Sequence, residues 1–390
     1  MLVSSTDVAY FAAAFIALIF VPGFIIASVV RPCSTLVERS ALSIPVAYGF
    51  VTLVGLVCAV FHQHFDRTTY IVVALLTLVP LLYKHSRQRG RLQEHSQLFE
   101  RWEIVPIGVG MTFVAVLLAT NLQEVVPTGW DVSQHVGWIN LIIKARVFPL
   151  RLLGPTIDSS GGAFYPPTFH VVSALLSEVI SVPTYRIAFY SIVSVIAALP
   201  FGLFSYVKGL TSSPRLGALA SLSSLAFLGL PFTALIGGLY PLTVSLLIAP
   251  MLALTLFNAV TKGERGAVIL SALLGVGLFY THPTEFLTTA LLDVALFLSC
   301  PVRPLLVKRG AAYLALIMVV WGVAAWPALV GVARTITGGA STEINAKSLF
   351  ARPASVNASA SALDYVRRAF LENSSYIRNC SGQARVGRRG

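Results

Sequence analysis

Apolar runs of roughly 17–25 residues, the length a helix needs to cross a bilayer, recur along this chain with short polar joints between them. They predict helices at about 8–30, 41–61, 68–83, 104–120, 167–182, 185–207, 215–230, 240–259, 266–280, 284–300 and 311–331. Strand-like alternation is absent, which argues against a membrane barrel. The longest polar interruption before the C-terminal tail is 121–166. The tail, 332–390, has too few apolar positions for a core of its own; it reads as disordered, or as the stub of a longer outer domain. The expected fold is all-α: a polytopic transmembrane helix bundle of about ten spans, with an outer loop carrying interfacial helices. Three regions follow: N-terminal membrane helices (1–103), a membrane core with the loop 121–166 (104–331), and a short polar outer tail (332–390).

Lys and Arg set the orientation, because cytoplasmic loops carry the excess of both. The joint 84–103 holds Lys84, Arg87, Arg89, Arg91 and Arg101 and is assigned to the cytoplasm, which puts 121–166 outside. The later basic joints 208–215, 262–265 and 303–309 fall inside only if one of the runs 167–182 and 185–207 does not span. The first is the better candidate. Its helix is roughly 24 Å long against a core of about 30 Å. It carries His170 and Glu178, and Pro183 follows it. It is expected to lie in the interface or to re-enter. The turn Tyr280-Thr281-His282-Pro283 and the turn 230–239 then share the outer side with the loop.

Composition agrees. The chain is 56% hydrophobic and 11% charged, against about 25% charged in soluble domains. The net charge of +12 sits in joints that touch anionic lipid headgroups. No basic stripe interleaved with aromatics marks nucleic acid as a partner. Cys33, Cys58, Cys300 and Cys380 form no C-x-x-C pair, so neither a disulfide framework nor a cysteine zinc site is expected. The first run follows Asp7 and no basic residue, so it is a membrane helix rather than a signal peptide.

The candidate chemistry lies in the loop. Asp131 and His135, four apart, share a helix face with Trp138, and Val132, Ile139, Ile143 and Val147 supply an apolar side. Such a pair can be a first-turn acid with a surface histidine. It can equally be a base with its orienting partner, as an inverting sugar transfer needs. Tyr165-Pro166-Pro167 starts a helix, and His170 in its first turn lies where free N–H groups favour an anion. The alternative is a plain helix start. Lys144, Arg146 and Arg151 could neutralise a leaving phosphate or anchor the loop at headgroups. His282, with Glu285, heads a membrane helix, where ionisable groups are costly and usually functional. His62 and His64 read as a solvated turn. Asp131, His135, His170 and His282 are a sensible set for zinc or manganese, but Asp-x-x-x-His arises on any helix by chance. No metal is predicted, and the cofactor is unknown.

Trp130-Asp131-x-x-x-His135, Tyr165-Pro166-x-x-x-His170 and His282-Pro283, in an outer loop ahead of a helical core, resemble the GT-C-type integral membrane glycosyltransferases. More narrowly, they resemble a family of actinobacterial membrane proteins placed near them. The resemblance covers roughly 104–331. It implies a sugar transferred from a polyprenyl-phosphate donor to a cell-envelope acceptor at the outer face of the plasma membrane. Asp131 would be the base and His135 its partner. His170, Tyr165, His282, Lys144, Arg146 and Arg151 would contact substrate or phosphate. A transporter or flippase, and a non-catalytic envelope assembly protein, are the alternatives.

Overall fold

The computed structural model describes residues 5–31, 34–92, 100–121, 130–150, 166–226, 238–299 and 304–337. These form the helices α1 (Ser5–Phe15), α2 (Val21–Val30), α3 (Leu36–Val60), α4 (Arg67–Leu92), α5 (Ile104–Asn121), α6 (Trp130–Ala145), α7 (Thr168–Val179), α8 (Thr184–Thr211), α9 (Pro214–Ala226), α10 (Tyr240–Lys262), α11 (Arg265–Thr281), α12 (Pro283–Ser299) and α13 (Pro304–Thr337). No strand occurs among the described residues. Every predicted apolar run is a helix over its described residues, and α6 is a helix within the polar loop, where one was expected.

Local chemistry explains the boundaries. Thr35 and Glu38 form a reciprocal cap at the head of α3, satisfying two orphan N–H groups. α10 ends on Gly263 at φ 67, the left-handed position glycine takes without strain. Between α1 and α2 the turn widens into a π segment, Ile16–Phe20. Pro22 explains it: proline offers no N–H to the carbonyl one turn back. That carbonyl, on Leu18, instead accepts from Tyr70 Oη at 2.7 Å.

α3, α8, α10 and α11 pack as the centre of the bundle. Lipid supplies no hydrophobic drive between helices, so close backbone approach matters. At the α3–α11 crossing a Cβ on Gly49 would meet the Leu273 carbonyl oxygen at 2.4 Å, and one on Gly277 would meet Gly49 Cα at 2.8 Å. At the foot of α8, Lys208 binds Glu38, Glu100 and Glu103 at 3.2, 2.9 and 3.4 Å. These contacts join the heads of α3 and α5 to the end of α8.

Among the described residues, five helical stretches are long and apolar enough to cross a membrane: Thr6–Val30, Leu36–Val60, Thr184–Thr211, Tyr240–Lys262 and Lys308–Val330. The outer faces of α12 and α13 are bare and apolar, with Leu298 84% and Val323 71% exposed. A chain this apolar, with such faces, is a membrane protein.

α7 is too short to span and is buried on all sides from Thr168 to Leu176. Rather than lying on a surface, it sits inside the protein, against α3, α6 and α8. A short helix at membrane depth is tolerated where protein surrounds it. Glu178, at its far end, accepts from the Arg67 backbone N–H at 2.8 Å and so caps α4.

Candidate functional site

α6 is amphipathic, and its apolar face decides where its histidine goes. Val132, Ile139 and Ile142 are buried, while Gln134, Asn140 and Lys144 are exposed. His135 lies on the buried side, only 3% exposed, so it is not a surface histidine. α6 packs on α7, whose third residue is His170, also buried. The two rings meet: His135 Nδ1 is 2.8 Å from His170 Nε2. On its other side His135 Nε2 is 2.7 Å from the Gly238 carbonyl oxygen.

A carbonyl can only accept, so His135 Nε2 carries the hydrogen, and in the neutral ring Nδ1 is then an acceptor. His170 is in turn hydrogen-bonded to the Pro166 carbonyl, which calls for its hydrogen on Nδ1. Two neutral rings cannot satisfy both carbonyls and the ring-to-ring bond together: either His170 turns its hydrogen to Nε2 and gives up Pro166, or the pair holds one extra proton, which its burial opposes. Gly238 has φ 77, a backbone glycine adopts freely. Its carbonyl also accepts from Tyr240 N at 2.8 Å.

The surroundings keep the pair uncharged. His135 stacks on Tyr240, ring centroids 5.4 Å apart. Trp138 stands edge-on to His135 at 5.7 Å and to His170 at 5.1 Å, and Phe169 closes another side. Burial pushes the His135 pKa down to about 4, with the Gly238 carbonyl pulling the other way. Burial, then the neighbouring His135, hold His170 well below the ordinary range, against the Pro166 carbonyl. α7 is pinned at its first turn by Thr168 Oγ1, 2.8 Å from Thr52 Oγ1 of α3.

The predicted site residues divide. His135 and His170 come together. Asp131 occupies the first turn of α6, one turn before His135, but its side chain lies outside the described residues, as do Tyr165 and Arg151. Lys144 and Arg146 are exposed at the end of α6. Arg146 is left-handed, φ 53, and its carbonyl accepts from Phe65 N at 2.8 Å. His282 pairs with Glu285 at the head of α12, the two side chains 31% and 23% exposed. Burial lowers the His282 pKa, while contact with a carboxylate favours its charged form. Among the described residues no three His, Cys, Asp or Glu side chains gather to hold a metal. Cys58 is a buried free thiol; Cys33, Cys300 and Cys380 fall outside the described residues. His62 and His64 are exposed, as expected of a solvated turn.

Sequence reasoning passed over Asp293. It lies midway along α12, 1% exposed, with neither carboxyl oxygen hydrogen-bonded. The signal was present: an acid inside an apolar run. Gly238 and Tyr240 were also missed as partners of His135, because contacts across a hundred residues leave no local trace.

Fold and site define a helical membrane protein with a buried, aromatic-walled histidine pair joining two short helices beside its spanning bundle. Residues 16–362 match DUF6541, a family of unknown function, and the chain belongs to that family. No curated protein and no solved structure matches it.

Proposed function

We propose that the chain is a membrane glycosyltransferase of about ten spans, its site facing outward, moving a sugar from a polyprenyl-phosphate donor to an envelope acceptor. Asp131 is the base that takes the acceptor hydroxyl proton. The observation that carries this is the 2.8 Å His135–His170 bond. It anchors the helix turn that follows Asp131 to a buried, rigid neighbour. A catalytic acid needs such fixed support, since misplacement of about 1 Å costs roughly a hundredfold in rate. Both nitrogens of His135 are engaged, so in this mechanism it positions the turn and transfers no proton itself. Lys144 and Arg146, exposed at the far end of α6, lie about 20 Å along that helix from Asp131, so their part is to draw the anionic donor towards the protein.

The test is transfer from radiolabelled polyprenyl-phosphate sugars by purified protein. Asp131→Asn should lower the rate by about 10²–10⁴-fold with unchanged elution and helix content. Transfer at the normal rate by that variant removes Asp131 from the chemistry.

A second reading has one observation in its favour. Asp293 is a buried acid inside an apolar helix, and such acids within membrane segments mark ion or proton pathways in transporters. Counterflow of a labelled solute in proteoliposomes, abolished by Asp293→Asn and without covalent product, would favour transport.

A further inference from the structure

α12 carries two acids. Glu285, at its head, meets His282. Asp293 lies about 15 Å further along the helix from Pro283 and meets no charged group. Leu292 and Val294, its neighbours in the chain, are exposed, while Asp293 is buried. The helix thus turns apolar side chains outward and its acid inward. Neither carboxyl oxygen has a hydrogen-bond partner. Among the described residues no ion pair includes it.

The helices around it offer no cation. α12 packs on α10 and α11. α10 has no ionisable side chain between Tyr240 and Lys262, and α11 has none between Arg265 and Tyr280. On α13, which meets α12 where Phe286 stands edge-on to Trp321, Lys308 and Arg309 are exposed and Tyr313 is half-buried. From α8, Tyr206 lies near enough to feel the charge of Asp293. The titratable groups that approach it are phenols, which bring no positive charge. A carboxylate stripped of water and left without a cation is so costly that the group takes up a proton instead. A metal ion would need several oxygens around it. One turn before Asp293, the Thr289 hydroxyl is given to the Glu285 carbonyl. One turn beyond, Phe257 and Phe297 stack.

We propose that Asp293 is a proton-binding site, occupied at neutral pH, and that a proton rather than a metal cation is what it exchanges. The carboxyl is a neutral acid where α12 packs on α10. The site extends the transport reading, but its test needs no transported solute, so either can fail without the other. It is independent of Asp131 and of the histidine pair.

Infrared difference spectra of the full-length protein in lipid nanodiscs read the carboxyl directly. At pH 7 the unaltered protein should show the carbonyl stretch of one un-ionised carboxyl per chain that Asp293→Asn lacks. Asp293→Glu, which keeps the acid, should move that band, and it carries the test should Asp293→Asn fail to fold. Glu285→Gln on the same helix should leave the band in place. Raising the pH should convert the band reversibly to that of a carboxylate by about pH 10, while added Na⁺, K⁺ or Ca²⁺ at pH 7 should not. A carboxylate signal assigned to Asp293 at pH 7 would overturn the site. Loss of the band on adding one of those cations would overturn the choice of a proton, and a band unmoved at every pH would overturn exchange.

Discussion

Two histidine corners of this molecule are built from the same side chain and opposite surroundings. His135 and His170 are buried, hydrogen-bonded ring to ring, and walled by Tyr240, Trp138 and Phe169. His282 is partly open and sits beside a carboxylate, Glu285. In the first corner burial opposes charge, and the Gly238 carbonyl fixes the His135 tautomer. In the second a carboxylate and water both tolerate charge. The lesson is that a histidine's role follows from what faces its nitrogens, so the two corners should respond differently to every perturbation.

The largest difference should come from truncation. His135→Ala strands the Gly238 carbonyl and His170 Nε2 and leaves a cavity, a loss of about 2–4 kcal/mol. His282→Ala removes a partly exposed pair worth no more than about 1 kcal/mol. Thermal unfolding in one detergent compares them, and equal losses would erase the distinction.

Acidification should separate the corners next. His135 has its pKa lowered to about 4 in the folded protein, against about 6.5 unfolded. The unfolded chain therefore binds the proton first. The pair's contribution to stability is complete above about pH 6.5 and is lost as pH falls towards 4. Glu285 should shelter His282 from part of this. A His135→Gln/His170→Asn double variant should flatten the pH dependence of unfolding, and His282→Gln should change it little.

Arg146 sharpens the picture at the edge of the first corner. Its left-handed backbone, φ 53, costs a non-glycine residue about 1 kcal/mol. Arg146→Gly should leave stability level or raise it by about that amount, while sugar transfer falls if the guanidinium draws the anionic donor to the protein. Parallel changes in both readouts would count against that role. The smallest effect belongs to Tyr240→Phe. The Tyr240 hydroxyl is buried without a partner, so its removal should be neutral or stabilising by under about 1 kcal/mol; a marked loss in unfolding temperature would mean the hydroxyl is paired.

Much of this was legible in the chain. Each apolar run became a helix because hydrophobic length is a local property. The shortness of 167–182 and its His170 and Glu178 marked it as unlike the others, and α7 is indeed not long enough to span. Its depth was not legible: burial on every side depends on α3, α6 and α8 closing round it. Asp131 and His135 were found by spacing, and His135 proved buried rather than a surface residue. Its bond to Gly238 was hidden because it joins residues far apart in sequence. The pair of His282 with Glu285 was legible, since three residues on one helix face bring the two together.

The central claim is that His135 and His170 form a buried, neutral pair with the His135 hydrogen on Nε2. Nitrogen-15 chemical shifts of the two imidazoles, recorded in the full-length protein at pH 7 and again near pH 5, test it directly. Neutral rings at both pH values, with the His135 hydrogen on Nε2, is the predicted result. An imidazolium signal from either ring at pH 7, or a hydrogen on His135 Nδ1 instead of Nε2, would contradict it.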